Sequence, residues 1–160
     1  MAELDLDWVA LRAVLVYGPG VKGNMAQMMR LARSALPLPV AHLRARRSLL
    51  ALENLTAAIV AVLEAPSPLR QVFVVADLEV LNIAEMIAAM RHGLGRRASV
   101  FPVPDSFLAL FLRATGQEHI YQRVSGSLVV DPSALRNLRW APPVATPIGL
   151  ASLMRTAATH

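Results

Sequence analysis

Two stretches of the chain have the spacing of catalytic or ligand-binding machinery. Gly18, Gly20 and Gly23 form a G-x-G-x-x-G pattern behind an apolar run. In a dinucleotide site such glycines let the backbone approach a pyrophosphate, and an acid about 20 residues later holds the ribose. Here no acid follows until Glu53, and Pro19 has no N–H to offer a phosphate. The pattern therefore reads as a turn closing a strand. Asp77 and Glu79 are spaced as a carboxylate pair for acid–base work. With no nucleophile, histidine or glycine-rich partner beside them, they read as a solvated loop.

Residue type excludes several other chemistries. The chain has no cysteine, so disulfides, thiolate nucleophiles and Cys-based zinc sites are out. His42, His92, His119 and His160 lie too far apart for ligand spacing, and no metal is expected. A Tyr-x-x-x-Lys dyad needs a lysine four residues after a tyrosine. Lys22 is the single lysine, and the residue four before it is Gly18.

Charge points to the partner class. Net charge is +5, and between Asp7 and Glu53 every charged residue is basic: Arg12, Lys22, Arg30, Arg33, Arg44, Arg46 and Arg47. A one-signed interval suits a phosphate ester, a nucleic acid or an acidic lipid. Sparse aromatics and the lack of a basic helix face argue against nucleic acid. Hydrophobic residues make up 55% and charged residues 17%, which excludes a disordered chain. The longest apolar runs, 57–63 and 107–112, fall far short of the roughly 18 residues that cross a bilayer. The acidic opening MAELDLDW lacks the character of a signal peptide, so a cytoplasmic protein is expected. The apolar excess implies a large core or a surface that meets another partner. The length suits one domain over 1–160.

The elements that must position these residues alternate. Strands are expected over 12–17, 47–52, 71–76, 99–103 and 128–130. Helices are expected from Asn24 as cap to 34, over 54–64, and from Asn82 with Glu85 in a capping box to Gly93 and Gly95. Further helices are expected over 105–114, after Asp131-Pro132, and from Thr146-Pro147. Pro37 and Pro39 keep 36–40 extended. The mixture is α/β or α+β.

Four segments carry a resemblance. LRAVLVYGPGVKGN (11–24), RRSLLALENLTAAI (46–59), VFVVADLEVLNIAEMI (72–87) and GSLVVDPSALRNLRWAPP (126–143) occur in this order. Together they resemble the C-terminal half of the extended short-chain dehydrogenase/reductase family, the NAD-dependent sugar-nucleotide epimerases, dehydratases and reductases. The first two look most like bacterial enzymes of surface-polysaccharide synthesis. The resemblance implies an α/β fold: one or two late strands of a Rossmann sheet plus a small mixed α/β substrate-binding subdomain. It implies that the NAD turn and the catalytic dyad belong upstream of Met1. The intact family enzyme holds NAD, and this chain alone is expected to bind none and to be catalytically incomplete.

The expected ligand is a nucleoside-diphosphate sugar, with UDP-sugars foremost. By the resemblance, Ala13 and Val14 pass near the nicotinamide, with Ala13 replacing a usual proline. Asn24 and Met25, at a helix N-terminus, meet the diphosphate. Leu38 and Val40 lie against the uracil. Arg47 binds diphosphate, for which a guanidinium fork is suited, and Arg123 is a second such arginine. Ser127 stands where several relatives carry a ribose-binding aspartate. Glu53 replaces an aspartate before a helix. The alternative reading is a non-catalytic assembly module that pairs with a separate Rossmann half or forms a homodimer.

Overall fold

The computed structural model describes residues 7–66, 69–104, 106 and 126–157. In chain order the elements are β1 (Val9–Ala13), β2 (Leu15–Tyr17), α1 (Gly23–Arg33), β3 (Arg46–Ala51), α2 (Leu52–Leu63), β4 (Gln71–Val75), β5 (Val80–Asn82), α3 (Ile83–Gly93), α4 (Ser133–Arg136) and α5 (Thr146–Thr156). The class is α/β, as expected.

The run expected over 12–17 starts earlier and is interrupted at Val14, whose N–H donates to the Val75 carbonyl at 3.3 Å. The break lets one strand serve two partners. β1 runs parallel to β4, with Val9 opposite Gln71 and Ala13 opposite Val75. β2 runs parallel to β3, with Leu15 opposite Leu49. β3 also pairs antiparallel with β5, where Arg47 faces Leu81. Residues 48–51 of β3 are all buried, which is why the strand reads as an apolar run with no alternation.

Two cores form. The first gathers Met25, Met29, Met86, Met90, Leu150 and Met154 where α1 and α5 lie against α3. Unbranched methionine fills the irregular spaces between three helices. The second gathers Leu50, Ala58, Phe73, Val75, Leu135 and Trp140 between the strands and α2 and α4. α3 and α5 touch at Gly93, where a Cβ would stand 2.7 Å from Ala151 Cα.

The capping box of α3 is present in both halves: Glu85 N–H donates to Asn82 Oδ1 at 2.9 Å, and Asn82 N–H donates to Glu85 Oε2 at 2.7 Å. Other expectations are corrected. Asn24 is not a cap: α1 begins one residue earlier, with Lys22 at the N-cap and no side-chain cap bond. α2 begins at Leu52, so Glu53 stands inside the first turn, where its charge favours the helix dipole. The strands expected over 99–103 and 128–130 reduce to single bridges, Leu38 with Val100 and Arg47 with Leu128. α4 begins at Ser133, and Asp131 accepts the Ser133 N–H from two residues upstream at 2.9 Å. The helix expected over 105–114 lies almost wholly outside the described residues.

Candidate functional site

The glycines of the G-x-G-x-x-G pattern have structural duties of their own. At Gly18 a Cβ would stand 2.9 Å from Leu52 Cβ, and Gly20 and Gly23 take positive φ of 78° and 65°. Val21 N–H closes the turn on the Gly18 carbonyl at 3.2 Å. The turn delivers the chain into α1. Met25 is buried in the first core, and Asn24 is exposed beside it. Among the described residues no acid in the first turn and no side-chain cap offsets the positive end of α1.

From the end of α1 the chain returns through 34–45. Leu38 N–H donates to the Ser99 carbonyl and Phe101 N–H to the Leu38 carbonyl, both at 3.0 Å. Ala41 N–H donates to the Phe101 carbonyl at 3.2 Å. Leu38 and Val40 are half-buried against the first core. Beyond them, Arg47 is half-buried on β3, flanked by Leu81 on one side and Leu128 on the other.

The segment 127–130 is stitched to β3. Ser48 N–H donates to the Leu128 carbonyl at 2.8 Å, Leu128 N–H to the Arg46 carbonyl at 2.9 Å, and Val130 N–H to Ser48 Oγ at 3.1 Å. The exposed Ser127 accepts the Arg46 N–H on its hydroxyl at 3.1 Å, so this oxygen already holds the strand edge. The Arg46 guanidinium donates to the Val80 carbonyl at 2.6 Å.

The structure thus sets Met25, Leu38 and Val40 on the first core, with Leu81, the cross-strand neighbour of Arg47, in the same cluster. Ala13 and Val14 lie elsewhere: Val14 packs on the second core and Ala13 is exposed. Arg123 is outside the described residues.

Between the cores stands a polar cluster that the sequence did not disclose. Asp77 is only 1% exposed, so the solvated-loop reading is wrong. Its carboxyl accepts from Ala51 N–H at 3.1 Å, Asn54 Nδ2 at 2.7 Å, and the Tyr17 and Thr146 hydroxyls at 3.2 Å each. Asn54 also donates to the Val144 carbonyl at 2.8 Å and accepts the Val144 N–H at 3.0 Å. Glu79 accepts the Thr146 N–H at 3.1 Å. Burial pushes the Asp77 carboxyl above the ordinary range, and the donors around it, Asn54 foremost, oppose that rise. Burial and the adjacent Asp77 hold the Tyr17 hydroxyl far above its usual range, so it remains a neutral donor. Tyr17, the β3–α2 junction with Ala51 and Asn54, Asp77 and Thr146 are four separate places in the chain, and no local pattern announces their meeting. Among the described residues, no group of acids and histidines can hold a metal.

No family profile matches the chain. A UDP-glucose 4-epimerase of Vibrio cholerae is 36% identical over 143 residues, which is 88% of this chain and 44% of that protein. In sequence the chain is similar to the matched part of that epimerase, and in fold it is similar to parts of NAD-dependent sugar-nucleotide epimerases and dehydratases. Its fold is similar to a Bacillus cereus UDP-glucuronic acid 4-epimerase solved with UDP-glucuronic acid and NAD: TM-score 0.64, 18% identity, 95% of this chain and 46% of that one. It is also similar to a Bacillus anthracis dTDP-glucose 4,6-dehydratase solved with NAD: TM-score 0.65, 16% identity, 95% of this chain and 45% of that one. The chain spans about half the length of the relatives it matches. Among the described residues no helix is long and apolar enough to cross a membrane.

Proposed function

We propose that the chain is the C-terminal, nucleotide-sugar-binding part of an NAD-dependent nucleoside-diphosphate-sugar epimerase, dehydratase or reductase of bacterial polysaccharide synthesis, acting in the cytoplasm as a single domain over 1–160. The likeness to the Vibrio epimerase over 143 residues carries this reading. The N-terminus of α1 at Asn24 and Met25 takes the diphosphate, together with Arg47 and Arg123. Leu38 and Val40 face the base, and Ser127 lies by the ribose. These assignments fit the chemistry of each group: free N–H groups and a guanidinium fork for phosphate, an apolar edge for a pyrimidine.

NAD fits this chain in part. Val14 is committed to the second core and its N–H to Val75, so contact with a nicotinamide falls to the exposed Ala13. When bound, NAD supplies hydride transfer, and this chain contributes no more than one wall to it. Because Lys22 cannot complete a Tyr-x-x-x-Lys dyad, the isolated chain is inactive. Turnover of UDP-sugars with NAD by the isolated chain would overturn this reading. Calorimetric titration with UDP should detect weak binding that Arg47→Ala weakens at least tenfold, and no UDP binding by the unmodified chain would reject the ligand assignment.

A second reading is favoured by one observation. Among the described residues β1 pairs only with β4, and Trp8, Leu15, Leu52 and Val72 are exposed around it. Two-stranded parallel sheets are not left open in folded domains. An assembly module would meet a Rossmann half, or a second copy, along this edge. A clean monomer by size-exclusion chromatography with multi-angle light scattering, unchanged by a co-expressed Rossmann half, counts against it.

A further inference from the structure

Arg91 lies on α3 and is 2% exposed, an arginine inside a methionine-rich core. A guanidinium has five N–H donors, and the structure provides five carbonyls. Nε donates to Ala32 at 3.3 Å, Nη1 to Ala98 at 2.6 Å and Ser99 at 3.0 Å, and Nη2 to Ser34 at 3.2 Å and Leu36 at 2.7 Å. No carboxylate joins the cluster among the described residues. Charge balance comes instead from carbonyl dipoles, including those at the negative end of α1. The five carbonyls belong to two chain segments: the exit of α1 through Leu36, and the stretch after α3. These are the segments joined by the Leu38–Val100 bridge and by the Leu38, Ala41 and Phe101 N–H bonds.

We infer that Arg91 is the positioning residue of the nucleotide-base wall, a buried clamp that sets the backbone of 36–41 by tying it to 98–101. The inference deepens the proposed nucleotide reading and rests on it for its ligand. Five carbonyls gathered on one guanidinium add a buried anchor to the bridge and the three N–H bonds between the segments. Lysine at this position offers three donors on a point charge and cannot reach all five acceptors.

The test uses the full chain and Arg91→Lys, with backbone amide exchange followed by NMR and UDP titration by calorimetry. In the variant, the Leu38, Ala41 and Phe101 amides should exchange at least tenfold faster, while α3 and α5 amides such as Met90 and Met154 change less than threefold. UDP should bind at least fivefold more weakly, with the Asn24 and Met25 shift changes retained. Unchanged exchange at Leu38 and Phe101, or uniform loss of protection across the chain, overturns the clamp. Local loosening with unaltered UDP affinity overturns its role in the base wall. If the unmodified chain binds no UDP, the nucleotide reading and the ligand half of this inference fail together, while the exchange result judges the clamp separately. If Arg91→Lys does not fold, the unmodified chain decides. Its Arg91 Nε proton should exchange through the same opening as Leu38 and Phe101, and fast exchange of that proton beside protected amides overturns the clamp.

Discussion

At the scale of the residue, the carboxyl of Asp77, spaced with Glu79 as an acid–base pair, is buried and ties separate elements together. Asp77→Ala leaves the Ala51 N–H buried without an acceptor and removes one hydrogen bond each from Asn54, Tyr17 and Thr146, which keep other acceptors at Val144, Thr146 and Glu79. An unsatisfied buried donor costs about 1–3 kcal/mol and the lost hydrogen bonds add to it, so a loss of about 3 kcal/mol or more is expected in urea unfolding. Tyr17→Phe removes one hydroxyl and should cost only about 1 kcal/mol. The pH dependence has a definite sign. The folded-state pKa of Asp77 is raised above the unfolded value of 3.8, so the folded chain holds its proton more tightly. This contribution is fully present below pH 3.8 and is lost as pH rises through the raised value. Asp77→Asn should flatten that part of the stability–pH curve, and an unchanged curve would show that Asp77 does not titrate there. Arg91 was partly legible. It follows Ile83 and Ile87 at four-residue spacing on the buried stripe of α3. The Asp77 partners were not legible, because they meet only when four separate places in the chain converge.

At the scale of the element, helix ends and helix crossings carry the consequences. Lys22 occupies the N-cap of α1 with extended backbone but cannot accept a first-turn N–H. Lys22→Asp should stabilise the chain by about 1 kcal/mol in thermal or urea unfolding. It should also weaken UDP binding, since it caps the N–H groups assigned to phosphate and adds negative charge beside them. The close approach of α3 and α5 makes a second prediction. Gly93→Ala puts a methyl against Ala151 Cα and its carbonyl, and rigid backbone cannot yield cheaply. A loss of about 2–3 kcal/mol is expected. At Gly95 a Cβ meets nothing within 4 Å and only the positive φ of 68° is strained, so Gly95→Ala should cost about 1 kcal/mol. Equal losses at the two glycines would mean that the helices part readily. The capping box and the buried strands were legible because they are local. The division of 12–17 into two strands was not, since it depends on which neighbour each half meets.

At the scale of the molecule, the apolar excess has a visible location. Leu63 is 78% exposed and Leu36 70%, and Ile59 and Val60 face outward on α2, while Trp8 and Leu15 border the open side of β1. An α-helix apolar on most of its surface is normally covered on more than one side. Light scattering across a concentration series should reveal association. Leu15→Lys, placed beside the unpaired edge, should reduce it, and undiminished association would move the contact away from β1. The sequence by itself determined the α/β class, the family likeness and the absence of a Tyr-x-x-x-Lys dyad from these residues. Those follow from residue types and short-range patterns that exist along the chain before it folds. The tertiary structure alone decided that Asp77 is buried, that Arg46 and Ser127 are engaged with the edges of β3, and that Arg91 ties two segments together. Those facts depend on which distant carbonyls and hydroxyls become neighbours, and that is set by packing.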